Sequence, residues 1–140
     1  MTPLQIAHVQ NSFDRIAVDA PHFSALFYAR LFALNPQLRR LFASDMGHQE
    51  QRLMEMIQLV VNSLDSFGGL VPVLRALGER HQDYGVAPRD YDTVGSALLW
   101  SLDKVLGTGF SREVKLAWIA AYTIMSTTML EGARRRAAAA

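Results

Sequence analysis

LRALGERHQDYGV, residues 74–86, sets a histidine where the apolar stripe of a helix would ordinarily carry another leucine. Leu70, Leu74, Leu77 and His81 are spaced four, three and four apart, which stacks them on one side of a 3.6-residue helix and turns His81 inward. Pro72 suits the first turn, where its missing N–H costs nothing, and Gly85 supplies a left-handed stop. An inward imidazole has two ring nitrogens to satisfy. One can reach a carbonyl a turn earlier, and the other still needs a partner. On these residues alone two readings stand: a core histidine bonded across helices, or a ligand.

Outward from this helix the same three-four spacing recurs. Thr2, Pro3 and Gln5 form a helix start, followed by Ile6, Val9, Phe13 and Ile16, with Gln5, His8, Ser12 and Arg15 on the opposite, solvent-facing side. Asp19 and Pro21 restart the chain into a helix carrying Phe23, Leu26, Phe27, Leu31 and Leu34, with His22 in its wet first turn. Asn35-Pro36 breaks it. A short helix holds Leu38, Leu41 and Phe42, and ASDMGH reads as loop. The pattern resumes from Gln49 through Leu53, Ile57, Val60, Val61 and Leu64 until Gly68-Gly69. Beyond His81, Tyr91, Val94, Leu98, Leu102 and Val105 mark a helix ended by Gly107 and Gly109. Ser111 caps the last and longest, whose buried side runs through Val114, Trp118, Ala121, Tyr122, Met125 and Met129. No stretch alternates with period two. The expectation is an all-α globule of about seven crossed helices with a pocket between its layers.

Composition narrows the chemistry. The chain has 140 residues, half of them hydrophobic, a formal net charge of +1 and no cysteine. It is read as one domain over residues 1–133 with a basic, alanine-rich tail at 134–140, expected to be a frayed and solvated helix end. Thiolate metal sites, disulfides, cysteine nucleophiles and thioether-linked haem are excluded. Near-neutral charge gives no pull toward nucleic acid, and no apolar run reaches membrane-spanning length. No basic flank followed by an apolar stretch opens the chain, so a cytoplasmic location is expected. There is no Glu-x-x-His, no histidine pair at ligand spacing, and Gly107-x-Gly109 lacks the rest of a dinucleotide fingerprint.

What remains is an inward histidine among aromatic residues, a combination suited to a large, flat, apolar cofactor. Tyr28, inside LFYARLF (26–32), is a phenol among residues that should be buried, and it needs a hydrogen-bond partner. Gln49 heads the apolar face of Leu53 and Ile57, while Gln51 lies about 200° around the helix and faces solvent. His48 is expected in solvent as well.

These residues resemble the single-domain bacterial haemoglobins and the haem domain of flavohaemoglobins. FYARLF, NPQLRRLF, a polar residue thirty-two before the histidine (81 − 49 = 32), ALGERH, DYDTVGSALL and AWIAAY follow in the order and spacing of that family over nearly the whole chain. The resemblance implies a globin fold, three helices crossed over three, around non-covalent haem b, with His81 as the iron ligand. It implies that Phe42 packs flat on the haem and that Tyr28, Gln49 and Leu53 line the side where gas binds. Ile57, Leu77, Val94 and Leu98 wall the cofactor, Tyr91 lies behind the histidine, and Arg80 pairs with a haem propionate. The family's glutamate on the last helix falls at Ala133. Glu131, two residues earlier, points elsewhere on an ideal helix.

The implied function is reversible binding of oxygen, with nitric oxide and carbon monoxide as further ligands. Nitric oxide dioxygenation would follow if a separate NAD(P)H-dependent reductase restored the iron. A monomer or weak homodimer is expected. The alternative is a cofactor-free globin-like scaffold acting through protein contacts.

Overall fold

Thr2 Oγ1 accepts the Gln5 N–H at 3.1 Å and Gln5 Oε1 accepts the Thr2 N–H at 3.0 Å, a reciprocal cap that starts α1 (Pro3–Ala17). The structure is a computed structural model describing residues 1–42 and 45–139. Asp19 caps α2 (Ala20–Leu34) by accepting from the His22 N–H, and Asn35-Pro36 ends it. Asn35 Oδ1 then accepts from Gln37 N–H at 3.1 Å, opening a 3-10 turn over Pro36–Leu41 that buries Leu38.

Two expected boundaries shift. Of the expected loop ASDMGH, Ala43 and Ser44 lie outside the described residues, but Asp45 accepts from Gly47 N–H at 2.9 Å and caps α3 (Met46–Asn62). Met46, Gly47 and His48 are therefore already helical. The far end of α3 also comes sooner than Gly68-Gly69. Leu64–Leu70 winds as 3-10 helix with a non-helical Ser66 (φ −140°, ψ 46°), because the chain turns by 110° between α3 and the segment ending at Tyr84. A continuous α-helix cannot bend so sharply.

α4 (Val71–Tyr84) has Pro72 in its first turn and ends at Gly85, whose φ of 91° is the left-handed stop. α5 (Pro88–Leu106) ends at Gly107, also at positive φ, before a single 3-10 turn. Ser111 Oγ accepts the Val114 N–H and opens α6 (Arg112–Ala139). The basic tail, expected as a solvated helix end, continues α6 through Ala139 with exposed side chains. Arginine and alanine favour helix, and Arg136 Nε donates to Asp83 Oδ1 at 3.0 Å.

Among the described residues there is no strand, and no single helix is long and apolar enough to cross a membrane. α1, α3 and α4 form one layer over α2, α5 and α6, giving the expected three-over-three crossing. Phe13, Phe23, Phe27, Leu31, Leu74, Leu102 and Trp118 fill the space between them. Ser12 corrects its assignment to the solvent side. It is buried, donates to the His8 carbonyl, and accepts Trp118 Nε1–H at 2.8 Å, since a buried indole N–H needs an acceptor. His8 is half-buried beside it.

The helix carrying His81 is held by an unusually close crossing of α4 and α6. A methyl group at Gly78 would fall on the Met129 carbonyl, and one at Gly132 would fall on the Arg75 carbonyl. The two glycines answer each other across the contact. Beside it Arg75 donates from Nε and Nη2 to Glu131 Oε2 at 3.2 and 3.1 Å. Gly132→Ala must push two helices apart, for which overpacking costs of about 3 kcal/mol apply. A melting temperature lower by roughly 10 °C is expected. Thermal unfolding followed by circular dichroism checks it, and an unchanged midpoint would remove the close crossing.

Candidate functional site

α4 presents His81 half-buried, one turn after Gly78. Its Nδ1 lies 2.9 Å from the Leu77 carbonyl oxygen. A carbonyl only accepts, so Nδ1 carries the proton and Nε2 keeps its lone pair. Burial, opposed by the Leu77 hydrogen bond and aided by the Arg80 charge, lowers the His81 pKa and keeps the ring neutral. A neutral imidazole oriented by a carbonyl is a good metal donor.

Three hollows of about 560, 390 and 160 Å³ meet at this ring. The largest is lined by Tyr28, Phe42, Gln49, Leu53 and Leu77, with exposed Arg80 at its edge. Ile57, Tyr91 and Val94 line the smallest, which is almost wholly apolar. Such sizes suit a small-molecule or cofactor site. The structure thus brings together all the sequence-predicted residues but one. Leu98 lines an adjoining void of about 30 Å³ with Val60, Val61 and Trp118, which shares Ile57 with the smallest hollow.

On the side facing α3, Tyr28 is buried and its hydroxyl donates to the backbone carbonyl of Gln49 at 3.2 Å. That is long for an O–H···O bond. The bond gives the phenol a partner without holding it firmly, so the O–H can turn toward a stronger acceptor in the hollow. Burial, with a smaller contribution from Glu50, pushes its pKa up to about 12, so it remains a donor at neutral pH. Phe42 stands edge-on to Tyr28 (5.3 Å between centroids, 77°) and to Phe32 (5.6 Å, 68°), fixing the aromatic wall. The Gln49 side chain is half-buried and lines two of the hollows. Gln51 is exposed and bonded to Glu55, and His48 is exposed, both as expected.

On the opposite side the Tyr91 ring lies 6.4 Å from His81, tilted by 41°. Its hydroxyl is buried and, among the described residues, has no hydrogen-bond partner. Ala133 is buried and Glu131 is engaged with Arg75, so no carboxylate from α6 completes this side. Sequence reasoning passed over Arg52, Met56, Val86 and Asp90, which also line the hollows. Arg52 and Met56 sit three and seven residues after Gln49, a helical spacing that marks the same face. Asp90 is buried because its carboxylate accepts the Ala87 N–H at 2.8 Å and so starts α5.

Among the described residues no group of three histidines and carboxylates could hold a metal ion. His81 is a single donor, so a metal bound there must bring most of its other ligands with it. The apolar walls and the free Nε2 fit a metal carried inside a flat macrocycle.

Comparison with known proteins gives the same direction. A family model described as Globin matches residues 25–129. Neuroglobin of Tetraodon nigroviridis is 27% identical over 138 residues, covering 89% of this chain and 87% of its own length. Flavohemoproteins of Vibrio cholerae and Halalkalibacterium halodurans are 25% and 28% identical over 94% and 83% of this chain. The alignments span 34% and 30% of their lengths, so this chain corresponds to about a third of each. Among solved structures, a carbene transferase engineered from a candidate nitric oxide dioxygenase of Rhodothermus marinus superimposes with a TM-score of 0.84. It is 22% identical and covers 99% of this chain and 95% of its own. A bacterial globin from Campylobacter jejuni gives 0.83 at 18% identity, covering 96% and 97%. At these identities the two structures speak for the fold alone.

The buried phenols make a prediction in alkali. Burial raises the pKa values of Tyr28, Tyr91 and Tyr122 above their ordinary value of 10.0. The stability they contribute is therefore whole below that value and is lost as pH rises toward about 12 for Tyr28. Denaturant unfolding should show stability falling above about pH 10, less steeply in Tyr28→Phe. A variant whose slope matches the parent would contradict the burial assigned to this phenol.

Proposed function

The chain belongs to the globin family, and from that premise we propose that it holds haem b non-covalently on His81 and binds oxygen reversibly there. The observation that carries the proposal is the His81–Leu77 bond, which commits Nδ1 and leaves Nε2 at the meeting point of the three hollows. Haem, when bound, supplies an iron that takes diatomic gases such as oxygen, nitric oxide and carbon monoxide.

The protein's own residues do the rest. Leu53, Ile57, Leu77 and Val94 exclude water from the hollows, and Phe42 closes one wall beside Tyr28. Arg80 offers a cation at the edge for an acidic group on the cofactor. Tyr28 holds a proton at its hydroxyl, and Gln49 brings an amide to the same hollow. Either can donate to a ligand that carries partial negative charge, worth about 1.5 to 3 kcal/mol or roughly ten- to a hundred-fold in retention. Nitric oxide dioxygenation is the enzymatic extension of this reading. It requires an electron donor, for which a separate NAD(P)H-dependent reductase is the candidate partner. A cytoplasmic location agrees with that chemistry.

Titration of the purified protein with haemin is expected to saturate at one per chain and give the absorption bands of a histidine-ligated haem. His81→Ala should lose most of that uptake. A colourless parent protein that ignores haemin would instead make His81 a core histidine and favour a cofactor-free scaffold. In the loaded protein, Tyr28→Phe is expected to speed oxygen release about ten-fold or more. Stopped-flow measurement checks it, and an unchanged rate would remove Tyr28 from the binding role. Nitric oxide consumption with NADH and an added reductase separates a dioxygenase from a carrier.

A further inference from the structure

The aromatic wall of the hollows is latched from outside. Arg39, exposed in the 3-10 turn before α3, donates from Nη1 to the Phe42 carbonyl at 2.6 Å. The Phe42 N–H in turn donates to the Arg39 carbonyl at 3.1 Å, so side chain and backbone close a ring over residues 39–42. A short bond from a charged donor is among the stronger protein hydrogen bonds. The same guanidinium lies over the Phe32 ring, 5.6 Å from Cζ to the centroid, where the face of the ring attracts a cation. One side chain thus holds two elements: the end of the 3-10 turn and a ring of α2. Among the described residues no carboxylate competes for it.

Phe32 and Phe42 close a triangle with Tyr28. The centroids lie 5.9 Å apart for Tyr28 and Phe32, 5.6 Å for Phe32 and Phe42, and 5.3 Å for Tyr28 and Phe42. Each ring rests on the other two, so a shift of Phe42 moves the surface against which Tyr28 stands. Phe42 lines both larger hollows, and Tyr28 lines the largest. The long bond from the Tyr28 hydroxyl to the Gln49 carbonyl holds that ring only weakly, which leaves its orientation to its aromatic neighbours. An arginine that merely capped the turn would engage the Phe42 carbonyl alone. The stacking on Phe32, from another helix, is what joins the cap to the wall.

We infer that Arg39 is a positioning residue for Tyr28: by tying the Phe42 backbone to the Phe32 ring, it fixes the aromatic triangle and so the direction from which the Tyr28 hydroxyl enters the largest hollow. The consequence for gas binding rests on the haem reading, but the latch itself exists without cofactor.

Two measurements on Arg39→Met, which keeps an unbranched stem and removes the charge, separate the latch from that reading. In the full chain without haem, proton NMR should show contacts of the Phe42 ring with the Tyr28 and Phe32 rings in the parent and their weakening in the variant. Arg40→Met is the control. Arg40 is the exposed neighbour, and among the described residues it neither bonds Phe42 nor stacks on a ring, so its loss should leave those contacts in place. In the haem-loaded protein, Arg39→Met should shift the C–O stretching band of the carbon monoxide complex and speed oxygen release roughly three- to ten-fold. It should add nothing further to Tyr28→Phe, because it acts through that hydroxyl. Parent-like ring contacts in Arg39→Met would overturn the latch, as would their absence from the parent or their equal loss in Arg40→Met. An unmoved band, an unchanged rate or full additivity with Tyr28→Phe would overturn the positioning role and reduce Arg39 to a cap. Failure of the parent to bind haem would end the haem reading and leave the ring contacts as the deciding test.

Discussion

Everything at the site depends on how close α4 and α6 can come. Gly78 and Gly132 let two backbones touch where any other residue would hold them apart, and each glycine sits against a carbonyl of the facing helix. His81 follows Gly78 by one turn, so the imidazole inherits its depth from that crossing. The ion pair of Arg75 with Glu131 and that of Arg136 with Asp83 lie along the same seam. Both are partly or largely exposed, and exposed pairs contribute little. They align the helices, while the glycines determine the separation.

The site spends its polar groups sparingly. His81 gives one nitrogen to Leu77 and reserves the other. Tyr28 rests on the Gln49 carbonyl through a long bond, so its partner is present but replaceable. Buried polar atoms are costly when left without partners. These two arrangements satisfy that rule while leaving one lone pair at the hollows and one donor able to turn toward them. Tyr91 is the exception, with a buried hydroxyl that has no hydrogen-bond partner among the described residues.

Much of this was legible from spacing alone. The inward turn of His81, the stop at Gly85, the cap at Thr2 and the shared face of Gln49 and Leu53 on α3 all follow from helical period and local capping. The resemblance to bacterial haemoglobins then put those pieces in one fold, and the family match bears it out. What periodicity could not supply was anything depending on a second helix. Ser12 looked solvent-facing on its own helix, and only Trp118, 106 residues away, makes it internal. Gly78 and Gly132 read as ordinary helical residues until their carbonyl neighbours are known. The start of α3 was missed for a different reason: Asp45 was passed over as a cap because the apolar pattern begins four residues later. Leu98 carried the right period but faces the adjoining void, since two residues on one stripe can point to different cavities when the helix crosses the core obliquely.

The reach of α6 has a consequence for how the molecule comes into being. This helix bonds to α1 through Trp118, to α5 through Tyr122, and to α4 through Gly132 and Glu131. It is also the last of the described helices to leave the ribosome. Until it emerges, the earlier segments lack the surface that seats them, and the long sequence separations of these contacts delay their closure. The nascent chain therefore carries an unfinished, apolar cleft until α6 has emerged, and the hollows at His81 take their final shape only then.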